Sequence, residues 1–205
     1  MSIVEEISRN FIEEYRNLVE RGLLTEERLR DYPKYNVHSL LQYCLIISGE
    51  KSGLIAIPEY KIRLKVPINK KKIDTRFSGE RENMWNIRVD IGYFKNTQLL
   101  GIGEVYTPDE IHGCLPSTEL EEPWVSPYHK LLHMTNENNL EDAKINFIVV
   151  VNGFWKLPEW KDARRHSIDK WTQKWYDFMK LLQESGYKIG WILIKGINNY
   201  EVKVL

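Results

Sequence analysis

The sequence predicts an α/β fold in which a mixed β-sheet is flanked by helices. Apolar residues at helical spacing dominate the first quarter of the chain and a segment near its end, whereas the middle carries alternating or continuous apolar runs typical of strands. The order is helices, three strands, a helix, a strand, a helix and two strands. Such interleaving is typical of a sheet with helices on its faces.

Three helices are predicted before the first strand. Ser2 and Glu5 form a capping-box pattern, and the helix that they begin ends at Gly22. A second, short helix is predicted after Thr25. The third spans 36–47 and is so apolar that we expect it to be buried.

The first strands follow this helical region. Residues 54–66 alternate as a strand, and Pro58 indicates a sheet edge or a bulge. Two further apolar strands are predicted at 87–94 and 99–106, with a short polar turn at 95–97 between them.

The second half of the chain is predicted to complete the sheet. A helix begins near Ser126, and the continuous apolar run 145–151 is typical of a central strand covered on both faces. An amphipathic helix over 168–186 precedes strands at 188–194 and 200–204.

Length and charge limit the domain organisation and the partners. The 205 residues fit one domain. The 29 basic and 29 acidic residues give zero net charge. Any nucleic acid must therefore bind a local basic patch rather than the whole surface.

The expected location is intracellular and cytoplasmic. Cys44 and Cys114 cannot form a disulfide framework, and neither a signal peptide nor an apolar run of membrane-spanning length is evident. The high content of Ile, Lys, Tyr and Trp resembles proteins of thermophilic archaea or of their viruses, and a viral protein would act in the host cytoplasm. Neutral charge and abundant aromatic residues are compatible with a homodimer.

Each of the two middle strands carries one acid, Asp90 and Glu104. A carboxylate is costly to bury alone, so two of them in strands rich in Ile, Val and Leu indicate a shared partner, for which a divalent cation is the leading candidate. Antiparallel pairing across the turn predicts that Asp90 lies opposite residue 102 or 103, one step from Glu104. The Gly101-Ile102-Gly103 run indicates close backbone approach beside Glu104.

The two segments Arg88-Val89-Asp90 and Glu104-Val105-Tyr106 resemble the motif of the PD-(D/E)XK, or restriction-endonuclease-like, nuclease superfamily. In that motif an Asp ends the second core strand, and an acid, any residue and a Lys follow in the third. The resemblance implies the family core of a helix, three strands, a helix and a strand over 36–151. It leaves 1–35 as an N-terminal helical extension and 152–205 as a C-terminal helix and strands. It also implies Mg²⁺ or Mn²⁺ as cofactor, DNA as substrate and hydrolysis of phosphodiester bonds.

The resemblance assigns roles to individual residues. Asp90, Glu104 and the backbone carbonyl of Val105 would bind the metal. Tyr106 stands where the family has its Lys, and a phenol with a pKa near 10 donates a hydrogen bond without bringing positive charge. Either Tyr106 or a lysine from elsewhere, with Lys130 preferred, would then orient the attacking water.

A third metal ligand often comes from the first core helix of the family. Here that helix offers His38 and Gln42 but no acid before its end. The N-terminal helix, with Glu13 or Glu14, is the other candidate source, and the sequence does not decide between them.

A basic loop lies between the first two strands. Lys70, Lys71, Lys72 and Arg76 either bind the phosphate backbone of DNA or form an ordinary solvated loop.

Three functions fit the sequence. The leading one is a metal-dependent DNA endonuclease or exonuclease. The first alternative is a catalytically inactive nuclease-fold protein that binds nucleic acid or acts as a scaffold, and Tyr106 favours it. The second is an unrelated α/β interaction protein without a metal.

Overall fold

The computed structural model describes residues 1–30, 36–65, 84–106, 146–153 and 186–205, together with positions 176, 179, 180, 183 and 184. Within these residues the protein is an α/β fold with a six-stranded mixed sheet, three helices that are described from end to end, and helical residues at 176, 179, 180, 183 and 184. The helices are α1 (Ile3–Glu20), α2 (Glu26–Arg30) and α3 (Val37–Lys51). The strands are β1 (Ile55–Lys65), β2 (Met84–Lys95), β3 (Gln98–Tyr106), β4 (Asn146–Asn152), β5 (Lys188–Gly196) and β6 (Asn199–Val204). The predicted α/β class with a mixed sheet is confirmed.

Helix α1 begins at the predicted capping box. The Ser2 hydroxyl accepts the Glu5 backbone N–H at 3.3 Å, and the Glu5 carboxylate accepts the Ser2 backbone N–H at 2.6 Å. The helix ends before Gly22, whose φ of +69° suits a residue without a side chain. Its apolar stripe is buried, which anchors α1 on the sheet.

Helix α3 continues four residues beyond its predicted end at Ile47. Ser48 and Gly49 favour a turn in isolation, yet both are helical here. The Ser48 hydroxyl donates to the Leu45 carbonyl at 2.9 Å, and a Cβ on Gly49 would lie 2.5 Å from the Tyr93 ring. Close packing on β2 therefore overrides the local preference.

The sheet has the order β1-β2-β3-β4-β5-β6. β1, β2 and β3 pair antiparallel, β4 is parallel to both β3 and β5, and β6 is antiparallel to β5. β1 lies at an edge, as Pro58 predicted. β4 is buried along its length after Asn146, which confirms it as a central strand.

Helices α1 and α3 cover one face of this sheet. Their apolar residues form one core with alternate residues of the inner strands, among them Ile91, Val105, Ile148, Val150 and Ile192. The intervening residues of β4 and β5, including Val149 and Trp191, are also fully buried. The helix predicted to end at Gly186 is helical at positions 176, 179, 180, 183 and 184, and Gly186 lies in a turn. The helix predicted near Ser126 lies outside the described residues.

Candidate functional site

The two acid-bearing strands form the predicted antiparallel pair, with a register that differs by one residue. Phe94 pairs with Leu99 next to the turn, but Tyr93 pairs with Gly101. Leu100 is therefore an extra residue on β3, and the pair contains a β-bulge. A bulge of this kind leaves no clear signal in an apolar strand.

The bulge moves Asp90 relative to β3. The pair of this ladder farthest from the turn joins Ile91 to Gly103. One further step in the same register sets Asp90 opposite Glu104 itself. The prediction that Asp90 lies opposite residue 102 or 103 is wrong by one residue, because it assumed an uninterrupted ladder.

The carboxylate of Asp90 lies between β2 and β3. Its Oδ2 atom accepts the backbone N–H of Val105 at 2.7 Å. Its Oδ1 atom lies 3.2 Å from Nε2 of His38, close enough for the imidazole to donate a hydrogen bond. The Asp90 side chain is 16% exposed, so a small ion still has access to it.

Helix α3 supplies two neighbours of Asp90. His38 and Gln42 are four residues apart and therefore share one helix face. Gln42 Nε2 donates to the Asp90 backbone carbonyl at 3.0 Å, while His38 contacts the carboxylate. Helix α3 thus reaches Asp90 with His38 and Gln42, the two residues predicted from the sequence.

The N-terminal acids lie elsewhere. Glu13 and Glu14 each have a carboxylate oxygen 3.5 Å from Nζ of Lys51 at the far end of α3. Lys51 is nine residues beyond Gln42, which corresponds to about 13 Å along a helix. The alternative that one of these acids joins Asp90 is wrong, because α1 meets the opposite end of α3.

Sequence reasoning missed Glu59. It lies on β1 between the paired residues Pro58 and Tyr60, and therefore opposite Asp90 on β2. Its φ of +51° is unusual for a residue with a side chain. Its carboxylate accepts Gln42 Nε2 at 3.1 Å. The available signal was Pro58, which marks a local break directly before this acid.

Glu104 and Tyr106 are buried on β3, with exposures of 3% and 4%. Alternation places them on one face and Val105 on the other, where Val105 joins the core under α1 and α3. The Val105 N–H points towards Asp90. Because N–H and C=O of one residue in an extended strand point to the same edge, its carbonyl lies on the edge that faces Asp90.

The two glycines before Glu104 allow the predicted close approach. A Cβ on Gly101 would lie 2.6 Å from the Asn146 backbone oxygen of β4. A Cβ on Gly103 would lie 3.0 Å from the Tyr93 hydroxyl, which itself donates to the Leu45 carbonyl at 3.1 Å. Bare backbone therefore lets β3 fit closely between β2, β4 and α3.

The metal ligands predicted from the sequence are all oxygen donors. Within the part of the chain that the structure describes, no group of three or more His, Cys, Asp or Glu side chains is placed to hold a metal. Two carboxylates and one carbonyl remain, on Asp90, Glu104 and Val105. Lys130 and the basic loop of Lys70, Lys71, Lys72 and Arg76 lie outside the described residues.

Comparison with known proteins identifies no relative. No protein-family model matches the sequence, no curated protein is significantly similar to it, and no solved structure is significantly similar to its fold. Among the described helices, none combines the length and the apolar character needed to cross a membrane.

Proposed function

We propose that this protein is a metal-dependent nuclease with a restriction-endonuclease-like core that hydrolyses phosphodiester bonds in DNA. The observation that carries the proposal is the register of β2 and β3. It sets Asp90 opposite Glu104, where the Asp90 carboxylate also accepts the N–H of Val105.

Strand order supports the proposal. Helix α3 is followed by three antiparallel strands, and β4 then adds parallel to β3. This agrees with a core of a helix, three strands, a helix and a strand. The segment between β3 and β4, where the second core helix would lie, is outside the described residues.

The donor set suits Mg²⁺ or Mn²⁺. Mg²⁺ favours oxygen ligands, needs only one or two carboxylates and keeps several waters. Asp90 and Glu104 would hold the ion together with the carbonyl of Val105. A bound ion of this kind activates water and neutralises charge on a phosphodiester.

The protein's own groups would orient that ion and the reacting water. The Val105 N–H fixes one oxygen of Asp90, and His38 fixes the other. Tyr106 shares a face of β3 with Glu104 and would bring a hydroxyl, without positive charge, to that face. Lys130 remains the preferred source of a cationic group.

One observation favours a second function, a catalytically inactive nuclease-fold protein that binds nucleic acid or acts as a scaffold. Both oxygens of Asp90 already accept or can accept hydrogen bonds from protein groups. A carboxylate satisfied in this way has less need of a metal. In this reading the basic loop Lys70, Lys71, Lys72 and Arg76 would bind DNA that is never cleaved.

A cleavage assay separates the two functions. Purified protein is incubated with linear, branched and single-stranded DNA in Mg²⁺, in Mn²⁺ and in EDTA. We expect metal-dependent cleavage that falls by about 100-fold or more in Asp90→Asn and in Glu104→Gln, because each variant removes a charged ligand. Calorimetry with Mn²⁺ should show saturable binding that Asp90→Asn abolishes.

The matched control is Glu201→Gln, which removes a carboxylate from the β5–β6 pair of the same sheet. It should leave cleavage and Mn²⁺ binding unchanged. Circular dichroism confirms that each variant is folded. A wild-type protein that binds DNA but neither cleaves it nor binds Mn²⁺ would establish the inactive alternative. Cleavage that survives in folded Asp90→Asn would overturn the proposed site.

A further inference from the structure

Strand β6 presents an edge of the sheet that has no partner among the described residues. It pairs with β5 on one side only. Val202 and Val204 are 38% and 40% exposed, which is unusual for valines in a strand. With Tyr200 they line an open groove of about 630 Å³ between β6 and α1.

The opposite edge of the sheet differs. In β1, Pro58 lacks an N–H and Glu59 has a φ of +51°, so this edge cannot offer a regular ladder to another strand. None of the six residues of β6 is a proline, and none has a positive φ. β6 is thus the edge suited to strand addition.

The charges along the groove exclude a polyanion as its occupant. The α1 side of the groove carries residues of both signs, which are Glu5, Arg9, Glu13, Arg16 and Glu20. Arg16 already donates a hydrogen bond to the Tyr200 hydroxyl, and its guanidinium lies over the Tyr200 ring. Mixed charge around exposed valines is typical of a contact with protein rather than with nucleic acid.

We propose that β6 pairs antiparallel with β6 of a second copy of this chain, about a two-fold axis that passes through Val202. In this register Glu201 lies opposite Lys203 of the second copy, and Tyr200 lies opposite Val204 of the second copy. Opposite charges and an aromatic with a β-branched residue are favourable cross-strand pairs. The same pairs occur twice, as an isologous interface requires.

The alternation of β6 completes the argument. Residues that lie directly opposite in an antiparallel pair point to the same face. Tyr200, Val202 and Val204 of the second copy would therefore face the same side as their counterparts and cover the exposed valines beside α1. Glu201 and Lys203 of both copies would share the other face, where Glu201 already binds Lys203 at 2.7 Å.

The test uses the centre of the proposed pair. The wild-type protein is expected to be a dimer by light scattering and sedimentation across a micromolar to millimolar dilution series. Val202→Lys and Val202→Glu each place two like charges directly opposite, and should weaken self-association by about tenfold or more. An equimolar mixture of the two variants should associate again as a heterodimer.

Ile57→Lys is the matched control, because Ile57 is 40% exposed on β1, the edge strand that Pro58 and Glu59 make irregular. It should leave the dimer intact. Val202→Cys, in a Cys114→Ser background, should form an intermolecular disulfide under mild oxidation, since only the proposed register sets Val202 opposite itself. A monomeric wild type, a dimer that survives in folded Val202→Lys, or a failure of the two variants to associate would each overturn the proposal.

Discussion

The strand pairs β2–β3 and β5–β6 have similar backbone geometry, but the carboxylates of Asp90 and Glu201 have different surroundings. Both β2–β3 and β5–β6 are antiparallel with a two-residue turn, and both shift register directly beside it, at Tyr93/Phe94 and at Ile194/Gly196. The first pair carries the partly buried Asp90 on β2 and the buried Glu104 on β3, and the second carries the partly buried Glu201 on β6.

Glu201 is surrounded by fixed donors. Lys195 and Lys203 each donate to it at 2.7 Å, and the Tyr176 hydroxyl does so at the same distance. These contacts, those of Lys195 and Lys203 first, lower the pKa of Glu201 to about 2. This carboxylate is ionised in the folded protein and is compensated by the chain itself.

Asp90 has no such compensation among the described residues. Its donors are a backbone N–H and an imidazole, and no described Lys or Arg nitrogen lies within ion-pair distance of it. The two strand pairs therefore hold one carboxylate, Glu201, that lysines of the chain compensate, and another, Asp90, that no described Lys or Arg compensates. The neighbouring lysines, rather than the geometry of the strand pair, make this difference between the two acids.

The largest effect on stability is expected from filling the space beside Gly101 on β3, the strand that pairs with the Asp90 strand β2. Gly101→Ala would push a Cβ against the Asn146 backbone oxygen, which cannot move without breaking β3–β4 pairing. We expect a loss of about 3 kcal/mol in the free energy of unfolding, measured with urea. Gly190→Ala on β5 meets the side chains of Ser8 and Val4 instead, so its loss should be smaller, about 1–2 kcal/mol. Equal losses in the two variants would contradict the expected difference between a backbone contact at Gly101 and side-chain contacts at Gly190.

The fold could be predicted from the sequence where local chemistry decides the structure. Ser2, Glu5 and Gly22 define α1 by capping, and the apolar run at 145–151 identifies a central strand because few alternatives bury it. The end of α3 could not be predicted, since Ser48 and Gly49 favour a turn until Tyr93 packs against them. Tertiary contacts of this kind have no local signal.

The site was predictable to a similar degree. Asp90 and Glu104 stand out in the sequence because acids are rare in buried strands, and their role stays a prediction. The bulge at Leu100 could not be anticipated, since Leu100 fits a regular strand equally well, and it alone moved the register by one residue. The position of Glu59 beside the site could not be predicted, because an acid after a proline usually indicates a solvated edge. Its contact with Gln42 depends on a helix from elsewhere in the sequence.

A moderate effect is expected from Glu201→Gln. The pKa of Glu201 is lowered from its ordinary 4.5 to about 2, so its stabilising contribution is present above pH 4.5 and is lost as the pH falls towards 2. The side chain is 30% exposed and is therefore screened by solvent, which limits the contribution to about 1 kcal/mol. Urea unfolding of both proteins between neutral pH and about pH 3 measures it.

The difference between wild type and Glu201→Gln should shrink as the pH falls, and added salt should reduce it at neutral pH. A difference that is independent of pH would mean that packing, and not charge, accounts for the contribution of Glu201. Asp90→Asn provides the comparison, because the effect of Mn²⁺ on stability should be lost in that variant and retained in Glu201→Gln.

The smallest effect is expected from Tyr176→Phe. This change deletes the hydroxyl that donates to Glu201 but keeps the ring, over which Lys203 Nζ lies 3.9 Å from the centroid. Because two lysines still compensate Glu201, we expect a loss of about 0.5 kcal/mol in the free energy of unfolding. In the Glu201→Gln background the same change should cost less, which a double-mutant cycle would measure. A loss as large as that of Glu201→Gln would show that the tyrosine, rather than the lysines, holds this carboxylate in its ionised form, and the contrast with Asp90 would then rest on hydrogen bonding instead of charge.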